Sequence, residues 1–130
     1  MSYKSKENIT YDILSIEVDY TKYTFEFLVT NKSNKKNKPV FTIYTKYPGE
    51  VITSLKEYIL DEIDIKEKII CKVELDLKFF AKMDDYDPLS DTFMTPYLNP
   101  GVYEFYIGDE KSQEFIYSFS YDEKIIFKID

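Results

Sequence analysis

Residues 84–91, Asp84-Asp85-Tyr86-Asp87-Pro88-Leu89-Ser90-Asp91, hold the densest set of chemistry-bearing side chains in the 130-residue chain. Asp85, Asp87 and Asp91 are hard oxygen donors of the kind that hold Ca²⁺, but the run has neither the turn Gly nor the closing bidentate Glu of an EF-hand loop. Read instead as a recognition surface, Asp84, Asp85, Tyr86, Asp87 and Asp91, with Tyr97 farther along, combine carboxylates that steer a basic protein with phenols that supply contact area at low entropic cost. The plain alternative is a solvated loop whose Asp residues close turns. A pair of carboxylates doing acid–base work is the third possibility, but among 24 acidic residues chance pairs are certain and the spacing along the chain selects none.

Composition removes whole classes of chemistry. There is no His, so no side chain has an ordinary pKa near 7 and no imidazole is on hand to bind metal or to activate a Ser. All 17 basic residues are Lys, which leaves no planar guanidinium fork for phosphate. Cys71 is the only cysteine, so no internal disulfide forms, and its place on an apolar phase reads as a small buried hydrophobe. No cofactor is expected and no enzyme activity is predicted. The charge is uneven: residues 1–48 carry 8 Lys and 5 acids (+3), residues 49–130 carry 9 Lys and 19 acids (−10). An acidic body repels nucleic acid and anionic membrane and favours a basic protein partner. Lys32, Lys35, Lys36 and Lys38 cluster without interleaved aromatics and read as a solvated loop. No apolar run approaches membrane-spanning length, and Met1-Ser2-Tyr3-Lys4 begins no hydrophobic leader, so the expectation is a cytoplasmic chain, with a secreted mature form left open. Asn8-Ile9-Thr10 and Asn31-Lys32-Ser33 match the glycosylation pattern.

The elements that must position such a loop are strands. From Ile69 to Phe79 the odd positions are apolar (Ile69, Cys71, Val73, Leu75, Leu77, Phe79), while Lys72, Glu74, Asp76 and Lys78 alternate with them. That two-residue period buries one face of a strand and wets the other. The same alternation runs through Ile9–Tyr20 (with a one-residue slip after Ile13), Tyr23–Thr30, Val40–Tyr47, Val102–Ile107, Glu114–Tyr121 and the last residues from Ile125. In Glu114–Tyr121 it places Phe115, Tyr117, Phe119 and Tyr121 on one face. Residues 1–8 are polar and read as a frayed tail. Ile52, Leu55, Ile59 and Ile63 recur at helical spacing behind a Ser54…Glu57 capping box, which predicts a short helix near 55–62, with a pair of short strands as the rival. Residues 84–100 form a long connection punctuated by Pro88, Pro96 and Pro100.

Seven or eight strands with polar turns predict a single all-β domain over 1–130, an antiparallel two-sheet β-sandwich. The run Phe25-Glu26-Phe27-Leu28-Val29-Thr30-Asn31-Lys32-Ser33, followed by Lys38-Pro39-Val40-Phe41, resembles the early strands of immunoglobulin-like modules and implies that architecture, without the Cys and Trp hallmarks of antibody domains. The 13 Tyr, several of them on outward phases or in loops (Tyr44, Tyr58, Tyr86, Tyr97, Tyr106), suit a protein interface or, less readily, a sugar platform. The functional expectation is a non-enzymatic protein-binding module of acidic inhibitor or immunity type, acting through loop 84–100 and exposed tyrosines. A structural subunit of a larger assembly and a Ca²⁺- or carbohydrate-binding sandwich stand as alternatives. Oligomeric state is not legible from the chain.

Overall fold

The computed structural model describes residues 2–83 and 96–127. Eight strands form two antiparallel sheets of four, stacked as a β-sandwich. In spatial order one sheet is β1 (Ser2–Lys4), β2 (Ile9–Asp19), β3 (Lys22–Asn31) and β6 (Lys68–Asp76). The other is β10 (Gln113–Tyr121), β9 (Gly101–Gly108), β4 (Val40–Lys46) and β5 (Ile52–Ile59). A small third sheet joins β11 (Ile125–Ile126), β8 (Pro96–Leu98) and β7 (Lys82–Met83). The chain changes sheet between β3 and β4 and returns between β5 and β6, as immunoglobulin-like sandwiches do.

The alternation seen in the sequence becomes the core. Phe25, Phe27 and Val29 of β3 and Val73 and Leu75 of β6 face Ile43 of β4 and Tyr103, Phe105 and Ile107 of β9, all buried. Aromatic rings knit the two layers: Tyr23 lies 4.5 Å from Phe119 and 5.1 Å from Phe105 between ring centres, and Phe25 meets Phe105 edge-on at 5.2 Å. Three of the phenols that enter this core hydrogen-bond at its rim, whereas the hydroxyls of Tyr11 and Tyr58 are buried without a partner among the described residues. Tyr23 and Tyr121 share a hydrogen bond of 2.7 Å, Tyr103 donates to the Asn99 carbonyl at 2.8 Å, and Tyr47 donates to the Phe80 carbonyl at 2.7 Å. Gly101 opens β9 at φ +126°, where a Cβ would lie 2.8 Å from Pro48, so the close approach of the Pro48 turn admits only glycine there.

Four expectations are corrected. Residues 2–4 are not a frayed tail: β1 pairs with β2 (Tyr3 opposite Tyr11), and Tyr3 is buried. Residues 55–62 are not helical, because Ile52–Ile59 is one strand, β5, paired along β4. The misleading helical spacing comes from a bulge, the register slipping between Ile43 and Tyr44 so that Leu55 is extra and the apolar phase shifts by one. The strand from Ile69 stops at Asp76, and Leu77–Phe80 makes a 3₁₀ turn, which buries Leu77 but turns Phe79 out to solvent. A second bulge, between Phe115 and Tyr117, puts Phe115 on the outer face instead of beside Tyr117 and Phe119. The predicted slip after Ile13 is present as a bulge between Ile13 and Ser15.

Candidate functional site

Strand register sorts the outward side chains into two unlike faces. On the β1-β2-β3-β6 sheet the outward pairings make five rows: Lys4, Thr10, Thr30, Lys68; Ser2, Asp12, Leu28, Ile70; Ser15, Glu26, Lys72; Glu17, Thr24, Glu74; and Asp19, Lys22, Asp76. Six carboxylates therefore share this face with four ammonium groups, and the two rows nearest the β2–β3 hairpin hold four of the carboxylates against Lys22 alone. Its lower end, where β2 turns into β3 through Tyr20 (φ +57°), opens into a groove of about 610 Å³ bounded by Glu17, Val18, Thr24, Glu74, Lys78 and Phe79. Phe79 is 75% exposed and Val18 47%.

The position of Phe79 is built, not accidental. Asp76 caps the 3₁₀ turn, its Oδ1 accepting from the Lys78 amide at 3.0 Å and from the Thr21 hydroxyl at 3.0 Å. The Leu77 amide donates to the Thr21 carbonyl at 2.9 Å, tying the turn to the β2–β3 hairpin. Lys78 Nζ sits 5.1 Å from the Phe79 ring centre, a cation over an exposed aromatic face.

The outer face of the other sheet is aromatic and nearly neutral. Tyr44, Tyr106 and Phe115 lie in one row across β4, β9 and β10, with Tyr106 edge-on to Phe115 at 6.0 Å and its hydroxyl bonded to the Glu104 carboxylate. Beside them is a second groove of about 560 Å³, lined among others by Lys6, Tyr44, Lys56, Glu57 and Asp109. Every resolved pKa shift among the described residues is upward and belongs to a phenol or the thiol. Burial pushes Tyr3, Tyr58 and Tyr103 up to about 12, and Tyr11 and Tyr23 higher still. Burial likewise raises the Cys71 thiol, in keeping with a packed hydrophobe.

Of the residues singled out from the sequence, Asp84, Asp85, Tyr86, Asp87 and Asp91 lie outside the described residues, and with them the Ca²⁺ candidates Asp85, Asp87 and Asp91. Among the described residues no group of three or more acidic or Cys side chains is arranged to hold a metal ion. Tyr97 is half-buried on β8, with Lys124 Nζ 4.1 Å above its ring. Of the tyrosines expected to face outward, Tyr44 is buried, and Tyr58 faces inward, half-buried against the core and stacked on Phe41 at 5.2 Å. The Lys32–Lys38 loop is exposed at its lysines but anchored by Asn31, whose amide donates to the carbonyls of Lys35, Ile63 and Asp64 at 2.9, 3.0 and 3.2 Å. Asn31 is fully buried, which removes it as a glycosylation acceptor in the folded chain. Sequence reading missed Glu17, Val18, Glu74 and Phe79 as a group. The polar phases of β2 and β6 were visible, but the register that aligns them was not.

No protein-family model matches the chain, and no curated protein matches it. Solved structures do. It superposes on β-glucosidase 3B from Thermotoga neapolitana in complex with glucose with a TM-score of 0.75 at 17% identity, covering 95% of this chain and 17% of that one. For β-glucosidase from Kluyveromyces marxianus in complex with glucose the TM-score is 0.72 at 15% identity, covering 94% and 15%. For β-glucosidase from Listeria innocua in complex with gluconolactone it is 0.65 at 14% identity, covering 90% and 16%. The chain thus spans about a sixth of the length of these enzymes. At such identity the likeness establishes the sandwich fold and no activity.

Proposed function

We propose that the chain is a non-enzymatic protein-binding module that engages a basic protein partner, in the manner of an acidic inhibitor or immunity-type protein. The observation that carries this reading is the hairpin end of the outer face of the β1-β2-β3-β6 sheet, where register brings Glu17, Asp19, Glu74 and Asp76 together with Lys22 alone, while the other lysines of the face (Lys4, Lys68, Lys72) lie toward its far end. It belongs to a chain whose residues 49–130 carry a net charge of −10 from 9 Lys and 19 acids. A local excess of one sign speeds and selects encounter with a complementary protein. The solved structures it resembles, each some six times longer, are compatible with a sandwich that works as a module beside other parts. Affinity capture from the source cells at about 50 and about 300 mM salt tests the proposal, since screening at the higher concentration weakens contacts between exposed charges. The expected result is a discrete protein retained at low salt and released at high salt. A bait that retains no protein, or one indifferent to salt, overturns it.

A second reading, a structural subunit of a larger assembly, draws on the strand edges. β5 and β10 end the second sheet, and Ile52, Ile59 and Phe115 stand exposed on them. Self-association through those edges predicts a light-scattering mass that rises with concentration. A mass that stays monomeric removes this reading.

A further inference from the structure

We infer that the groove at the hairpin end of the β1-β2-β3-β6 sheet is a docking site for an extended, Lys- or Arg-rich segment of a partner protein, anchored by one apolar side chain on Phe79. This rests on the reading of that face as protein-binding and specifies where and what it binds. Three features of the groove support it.

The first is its walls. Glu17 on β2 and Glu74 on β6 flank Thr24 of β3 in one row, and Asp19 and Asp76 flank Lys22 in the next. The carboxylate walls are two strand spacings apart, roughly 10 Å, which leaves room over β3 for one extended chain. Alternate side chains of such a chain point the same way about 7 Å apart, the same step that separates one carboxylate row from the next along β3.

The second is charge. Asp76 already accepts two hydrogen bonds within its own turn. Among the described residues Glu17, Asp19 and Glu74 make no ion pair, the one found being Lys82 with Glu50 at 2.6 Å. Lys22 stands between Asp19 and Asp76, so it is the Glu17–Thr24–Glu74 row, with no lysine of its own, that leaves negative charge for an incoming cation.

The third is the apolar end. Phe79 stands exposed beside the carboxylates, and its ring already receives the Lys78 ammonium on one face. An incoming Arg or Lys takes the same geometry on the ring, while an apolar neighbour in the segment covers the ring edge. An acidic or neutral segment gains nothing from the walls, and that asymmetry sets the specificity.

The test uses the full chain and a labelled probe peptide of alternating Lys and Ser with one central Leu, a matched peptide with Glu in place of Lys, and one with the Leu replaced by Ser. The Lys peptide binds and the Glu peptide does not, and backbone amide shifts map to Val18, Thr24, Glu74 and Phe79. Phe79→Ala weakens the Leu-containing peptide about 5-fold and removes its advantage over the Leu-free one, as loss of an anchor side chain does. The exposed pair Glu17→Gln and Glu74→Gln weakens both Lys peptides about 10-fold and flattens their salt dependence. Binding mapped to the Tyr44–Tyr106–Phe115 face, or unchanged in both variants, overturns the inference. So does a salt-sensitive cellular partner retained equally by the parent and both variants, a result that leaves the broader protein-binding reading standing.

Discussion

Asn31 is the residue on which the polar end of the sandwich depends. Its side-chain amide serves three carbonyls from two segments, and its Oδ1 accepts from the Ser33 amide at 3.0 Å and hydroxyl at 2.6 Å. Replacing it by Ala removes these bonds together from a buried site, while the carbonyls of Ile63, Asp64 and Lys35 keep the Asn37 amide, the Glu67 amide and the Ser33 hydroxyl, so the loss is that of several net hydrogen bonds, about 3 kcal/mol. Asn31→Ala should therefore lower the urea midpoint sharply while changes at exposed Lys32 or Lys36 do not. A shift in the midpoint no larger than theirs refutes the hub. Nothing at the level of residue type announced this role. Asn31 sits in a run of polar residues that reads as loop, and it becomes a hub only because Ile63 and Asp64, more than thirty positions away, are folded against it.

At the scale of elements, bulges decide what alternation cannot. Phe115 and Phe119 occupy the same phase in the sequence, yet the bulge between Phe115 and Tyr117 places Phe115 outward, 48% exposed, while Phe119 packs against Tyr23, Tyr103 and Phe105. Phe119→Ala should cost about 3 kcal/mol, as truncation of a packed aromatic does, and Phe115→Ala less than about 1 kcal/mol, as surface changes do. Paired denaturation curves check this, and equal losses refute the β9–β10 register. The same effect explains the false helix at 55–62. One extra residue at Leu55 converts a strand's two-residue rhythm into something that mimics a turn of helix. Strand existence was legible at β2, β3, β4, β6, β9 and β10, whereas β1 was hidden because three residues with one buried Tyr carry no period.

For the molecule as a whole, buried phenols set an alkaline limit. Tyr3, Tyr58 and Tyr103 titrate near 12 in the fold, chiefly because burial disfavours the phenolate, and Tyr11 and Tyr23 are raised further. In the unfolded chain they release protons near 10, so above that pH the unfolded state binds fewer protons than the native one. Their contribution is fully present below pH 10 and is lost as pH climbs toward 12, with a limiting slope of about 1.4 kcal/mol per pH unit for each tyrosine. Urea midpoints read alongside tyrosinate absorbance should hold steady from pH 8 to 10 and then fall, with ionisation of the buried tyrosines coinciding with unfolding. Tyrosinate that forms freely near pH 10 in the still-folded chain refutes this.

The amino-acid sequence by itself determined an all-β, two-layer chain with an acidic second half, because two-residue periodicity and charge are local properties that any antiparallel pairing preserves. Only the tertiary structure decided which outward side chains share a face. Glu17 and Glu74 are 57 positions apart in sequence and meet across β3 only through strand register, and Phe79 leaves the core only because Asp76 and Thr21 fasten the turn before it. Register depends on contacts between distant strands, and those do not exist until the chain has folded.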